Sequence, residues 1–172
     1  GYVEVSTDGG ASWTSHHRGI PGTHEQMDAV DPEHTWTAMS DRGVLFTHDG
    51  TTWEVVALTQ QVGSENVKNV TDVDFVDSTF GWAAVARGVG GGPRKAEISR
   101  SVDGGLSWVN QFSWEHRKML DIEAVDRDHA FAAGEIVNSD GFMLRTVDGG
   151  LNWTVVSGLP DDWTIWAMDF PT

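Results

Sequence analysis

The sequence predicts an all-β protein, a β-propeller built of four-stranded antiparallel blades. Three observations carry this. The octet Ser101-Val102-Asp103-Gly104-Gly105-Leu106-Ser107-Trp108 recurs at Ser6 to Trp13, Thr47 to Trp53 and Thr146 to Trp153. Its Asp positions (Asp8, Asp49, Asp103, Asp148) are separated by 41, 54 and 45 residues. Short β-rich segments fill the intervals. A period near 45 with several strands per unit belongs to a propeller blade or a solenoid turn, and four-stranded blades need about that length.

Each part of the octet has a physical task. Asp followed by Gly-Gly favours a tight turn, because the carboxylate accepts local N–H groups and Gly tolerates positive φ. The hydroxyl two residues before the Asp (Ser6, Thr47, Ser101, Thr146) braces that turn. The Trp that follows (Trp13, Trp53, Trp108, Trp153) is expected to re-enter the sheet and pack its ring against it. Gly10, Gly105 and Gly150 hold the second glycine place; the second copy is one residue shorter, and the fourth has Asn152 where Ser or Thr is usual.

Three units can be overlaid strand by strand. Residues 26–31, 72–77 and 121–126 read as first strands closing on an acidic turn. Residues 35–39, 81–85 and 130–134 are small and aromatic, suited to a close-packed second strand, and 44–46, 97–99 and 142–144 are the third. The corner and a Trp-led fourth strand complete each blade. The chain opens in a third strand (residues 2–7), and residues 165–170 resemble one more first strand. The blade parts are 1–23, 24–66, 67–116, 117–160 and 161–172, within a single propeller domain or a piece of one. A truncated part of a larger ring is the favoured reading, against a defectively closed four-blade ring or chains that pair through open blade edges. No stretch reads as a good helix; residues 60–68 come nearest, and Gly63-Ser64 weakens them.

Composition narrows the function. With 172 residues, one domain burying roughly two-thirds of its unfolded surface is expected. Net charge is −15, from 11 Lys and Arg against 26 Asp and Glu, which argues against a nucleic-acid binder. The absence of Cys removes disulfides, thiolate catalysis and thiolate metal sites. No apolar run is long enough to span a membrane. No leader is visible, and a start at Gly1 rather than Met suggests a processed, tagged or excised chain. The seven His show no metal-ligand spacing. No metal and no cofactor is expected.

The octet resembles the Asp-box, or BNR repeat, of sialidases, sortilin-type receptors and xyloglucanase-like propellers. The whole unit, an acidic-ended strand, a Gly-Trp-Ala strand, an apolar strand and Thr-x-Asp-Gly-Gly-x-x-Trp, is most similar to the photosystem II assembly-factor (Ycf48/HCF136-like) type. Residues 73–82 followed by 101–108 carry the best match. The resemblance implies Asp-box hairpins between strands three and four, an exported location (periplasmic, lumenal or extracellular) and a binding face opposite the corners. That face would gather residues 41–43, the insertion 87–95, and 137–141. The blade links 24–25, 60–69, 114–118 and 161–163 would join them. Its candidate contact residues are Arg42, Arg87, Arg94, Lys95, Trp114, His116, Arg117 and Trp163.

The implied function is a non-catalytic interaction or assembly module for a protein or peptide. The alternative is a fragment of a carbohydrate-active propeller, glycoside hydrolase or sialidase-like. Sialidases rely on an arginine triad and a Tyr nucleophile, and the single Tyr2 here lies in the first strand, so no catalytic residue is assigned. The corner carboxylates are read as caps of their own turns rather than calcium ligands, and the corner Trp rings as packing rather than sugar platforms. Asp28, Asp74, Glu123 and Asp169 fall at one aligned position of the innermost strands. They are read as polar groups facing channel water, with cation binding or mutual pKa tuning as the sharper alternative.

Overall fold

The computed structural model describes residues 2–18, 22–40, 43–58, 68–88, 95–136, 141–160 and 164–170. Among these residues fourteen strands fall into four antiparallel sheets in strict chain order. The first is two-stranded, β1 (Tyr2–Val5) with β2 (Thr14–Arg18). Three four-stranded sheets follow. The second blade is β3 (His24–Ala29), β4 (Thr35–Met39), β5 (Gly43–Thr47) and β6 (Glu54–Val56). The third is β7 (Lys68–Phe75), β8 (Gly81–Arg87), β9 (Lys95–Ser101) and β10 (Val109–Glu115). The fourth is β11 (Arg117–Ala124), β12 (Ala130–Ile136), β13 (Gly141–Thr146) and β14 (Thr154–Val155). Among the described residues there is no helix, and so none long and apolar enough to cross a membrane.

The central strands of the second and third blades are buried on both faces, because each of these blades is sandwiched between two others. Alternate side chains of a strand point to opposite faces. Trp36 and Ala38 of β4 and Val44 and Phe46 of β5 therefore meet Val70, Val73, Phe75, Ala83 and Val85 of the third blade. The opposite phase of those strands, Met39 and Leu45, meets Val3 of the first. Trp82, Ala84 and Ile98 likewise face Met119, Ile122, Ala132 and Leu144 of the fourth blade. Runs such as Gly81-Trp82-Ala83-Ala84-Val85 are apolar without alternation for this reason.

One expectation is refined and one corrected. Of the corner Trp residues, Trp53, Trp108 and Trp153 pack half-buried against the edges of the core, while Trp13 is 61% exposed. The fully buried indoles are Trp36 and Trp82 of the second strands, at 0% exposure. Two of the corner rings close on their own turn, Trp13 Nε1 donating to the Gly10 carbonyl at 3.2 Å and Trp108 Nε1 to the Gly105 carbonyl at 2.9 Å. The correction concerns residues 114–118, expected as a blade link. Glu115 pairs with Lys95 and Arg117 with Ile136, so strand runs almost without break from one blade into the next. The link is the single residue His116, at φ 57°. Cross-strand pairing overrides the charged local sequence here.

Residues 165–170, read as a first strand, form no ladder among the described residues. They nevertheless occupy the first-strand place beside β11. The Met168 N–H donates to Asp121 at 2.6 Å, and the Phe131 and Phe170 rings stack at 4.5 Å. The helix candidate at 60–68 falls outside the described residues except for Lys68, which is in β7.

Candidate functional site at the end opposite the corners

The corner end is chemically closed. Asp103 Oδ1 accepts the Ser101 hydroxyl at 2.8 Å and the Ser107 N–H at 2.9 Å, while Oδ2 accepts the Ser107 hydroxyl at 2.6 Å. The Gly105 N–H closes the turn on Ser101 Oγ at 2.8 Å. Ser6 and Ser12 repeat this set around Asp8, with Gly10. Thr146 repeats it around Asp148 with Gly150, and Asn152 supplies both the N–H and the side-chain N–H there. In the shortened copy Asp49 accepts Thr47, Thr51 and Thr52. Hydroxyl and N–H donors from Ser12 hold the Asp8 carboxyl down at about 2. Donors in these turns hold Asp49, Asp103 and Asp148 below the usual carboxylate range too. Carboxylates so engaged have little capacity left for a cation, and among the described residues no group of three or more His, Asp or Glu could hold a metal ion.

The turns joining first to second strands lie at the same end. Gly50, Gly104 and Gly149 donate to the carbonyls of Glu33, Thr79 and Asp128. Asp31, Asp77 and Asp126 sit in these turns. Arg127 crosses from the fourth blade to Asp77 at 2.7 Å and lies over the Phe80 ring. This end is therefore rimmed by carboxylates: the four corner Asp residues, these three, and Glu33 and Asp128 of the same turns.

The other end carries most of the described cations. Strand register places Arg18, Lys68, Arg87, Lys95, Arg117 and Lys118 there, six of the chain's 11. In the third blade Glu97, only 3% exposed, anchors Arg87 at 3.3 Å and Lys95 at 3.9 Å. Lys95 also meets the exposed Glu115 at 3.3 Å. Arg117 lies over the Trp114 ring, 4.5 Å from its centroid, and Trp114 packs edge-on against Phe112 and Phe142. The Nε atoms of Arg87 and Arg117 are buried without a hydrogen-bond acceptor. His116 is exposed between them on its left-handed turn, a conformation for which His is enriched among non-glycine residues.

Of the eight expected contact residues, Arg87, Lys95, Trp114, His116 and Arg117 thus share one end of the third and fourth blades. Arg42, Arg94 and Trp163 lie outside the described residues. Glu97 escaped sequence reading. Its only signal is a carboxylate inside an apolar third strand, at the place filled by Val44 and Phe142 in the strand overlay.

The inner-strand carboxylates do not simply face channel water. Asp28 accepts the Phe75 N–H of the next blade at 2.8 Å, Asp74 accepts that of Ala124, and Glu123 that of Phe170. Asp72 and Asp121, one position earlier in the alternation, do the same to Ile122 and Met168. Each blade is stitched to the next through its innermost strand. Burial is the largest influence on Asp74, pushing it up to about 7 against the Ala124 N–H, with the charges of Asp28 and Glu123 adding. Burial also raises Asp28 and Glu123.

No family model and no curated protein matches the chain. Solved structures do. The Niastella koreensis GH74 enzyme (NkGH74) superposes with TM-score 0.65 at 16% identity, over 90% of this chain and 27% of that one. YCF48 bound to D1 peptide aligns at TM-score 0.36 and 16% identity, over 91% of this chain and 61% of that one. YCF48 from Cyanidioschyzon merolae aligns at TM-score 0.37 and 14% identity, over 91% and 66%. The chain spans less than two-thirds of each. With sheets in chain order, each packed on the next, the likeness to the GH74 enzyme shows a β-propeller fold of about four blades.

Proposed function

We propose that this chain is a non-catalytic interaction module of the Asp-box, assembly-factor type, which docks a protein or peptide on the end opposite the corners. One observation supports it above the others: the segregation of charge. A chain of net charge −15 gathers six of its 11 cations at one end, against Arg100, Arg127 and Arg145 among the carboxylates of the other. Such a field orients an acidic partner and speeds its encounter more than it deepens affinity. The Arg117–Trp114 stack adds an amphipathic contact of the kind enriched at interfaces. We place the protein outside the cytoplasm on the strength of the resemblance. The carbohydrate-active alternative shares the propeller fold with the GH74 enzyme, but hydrolysis needs two carboxylates open to a sugar. Asp72 and Asp121, on adjacent inner strands, are buried at 6% and 4% exposure.

Calorimetric titration with a Glu-rich peptide and, separately, with neutral β-glucan oligosaccharides tests this. The peptide is expected to bind, with affinity falling as salt is raised from low to physiological strength. Reversing charge in the double variant Lys95→Glu/Arg117→Glu is expected to weaken it at least about tenfold, on the scale of charged contacts at interfaces. Oligosaccharide binding without peptide binding would transfer the case to the alternative.

A further inference from the structure

The innermost strands hold a feature that the binding face does not use. Asp72 of β7 and Asp121 of β11 are buried, at 6% and 4% exposure, on inner strands packed against each other, and Asp72 reaches the main chain of the residue beside Asp121. Both accept main-chain donors. Asp72 Oδ1 accepts the Val73 N–H at 2.8 Å and Oδ2 the Ile122 N–H at 2.9 Å. Asp121 Oδ2 accepts the Met168 N–H at 2.6 Å. An ionised carboxylate is acceptor-only, so two buried side by side can bond one another only through a retained proton.

A second observation agrees. The ladder of β7 is bulged between Val70 and Asp72, and that of β11 between Met119 and Asp121. A bulge re-aims the side chain beside it. Each Asp of the pair follows one immediately. The aligned residue of β3 is Gln26, a neutral amide, and that of the last segment is Ala167.

The charged groups around the pair are nearly all acidic. β7 itself adds Asp74, β3 adds Asp28, β11 adds Glu123, and the last segment adds Asp169. Lys68, Arg117 and Lys118 sit at the far ends of β7 and β11, Glu135 at the end of β12, and Arg87 and Glu97 at the ends of β8 and β9. Among the described ion pairs none involves Asp72 or Asp121.

We propose that Asp72 and Asp121 form a buried proton-binding site, one proton shared by two carboxylates, which ties the inner strands of three successive blade positions and releases them when it is lost. The proton leaves to water as the pH rises, and both groups are then anions that none of the described ion pairs offsets. Burial and, for Asp72, the neighbouring Asp121 raise both groups above the usual carboxylate range. The pair titrates as a unit. Because the folded state binds this proton more tightly than the unfolded chain, its stabilising contribution is complete below the unfolded midpoint of about 3.9 and lost as pH rises through the folded one.

Residue-resolved carboxyl ¹³C NMR of the whole chain across pH 3 to 10 reads the site directly. The expected result is that, at pH 7, the Asp72/Asp121 pair still carries one proton and titrates above every corner Asp. Two fully ionised carboxylates at pH 7 would overturn the proposal. The variant Asp72→Asn supplies a permanent amide donor in the proton's place. Its melting temperature is expected to fall less between pH 5 and 9 than that of the wild type, and an equal fall would also overturn it. The wild-type NMR titration decides the matter should the variant fail to fold.

Discussion

Replacing Trp36 with Ala is expected to destabilise the protein by about 3–5 kcal/mol, the range for removing a buried aromatic ring. Trp36 has 0% exposure and joins two blades by two different means. Its ring stacks on Phe75 of the third blade, centroids 3.7 Å apart and planes 5° from parallel. Its Nε1 donates 2.7 Å across the same junction to the carbonyl of Gly104, in the next blade's corner. Alanine removes the ring and the donor together, although His48 Nε2, 2.8 Å from the same carbonyl, keeps that oxygen engaged. Trp13→Ala is the control. That ring is 61% exposed, and its loss is expected to stay within about 0.5–1 kcal/mol. Urea denaturation of both variants checks the contrast, and equal midpoints would remove the inference that second-strand indoles hold the blades together.

Gly134→Ala is expected to destabilise by about 1–3 kcal/mol, and to disturb the cationic end as well. A Cβ on Gly134 of β12 would stand 2.1 Å from the Lys118 carbonyl and 2.8 Å from the Phe142 ring. The first obstacle is backbone of β11 and cannot swing aside. Phe142 is the ring against which Trp114 packs, so relief on that side displaces the Arg117–Trp114 stack. The variant should therefore lose both melting temperature and affinity for the Glu-rich peptide. Unchanged stability would mean that β11 and β12 have slack that their spacing does not show.

The repeat made the architecture legible before any coordinates. The four corners, the order of strands in each blade and the apolar second strands all follow from the spacing of Asp8, Asp49, Asp103 and Asp148. What was hidden was hidden for physical reasons. Trp36 and Trp82 fill the blade junctions, but nothing local distinguishes a Trp that packs on the next blade from one that folds over its own turn. Residues 114–118 are polar enough to read as a loop, and only pairing across to Lys95 and Ile136 makes them strand. The aligned Asp28, Asp74 and Glu123 were visible as a set. Their partners are main-chain N–H groups 47 to 50 residues away, which no pattern of side chains reveals. Asp72 and Asp121 had the same alignment, and their proximity depends on bulges that the sequence does not announce.

Chemical-shift mapping of the isotope-labelled chain with the Glu-rich peptide tests the assignment of the binding end most directly. Perturbations are predicted at the Trp114 indole and at Arg87, Lys95, His116 and Arg117, with the corner amides of Gly10, Gly105 and Gly150 unmoved. Shifts centred on those corner amides, or no shifts at all where the peptide is in excess, would contradict the account.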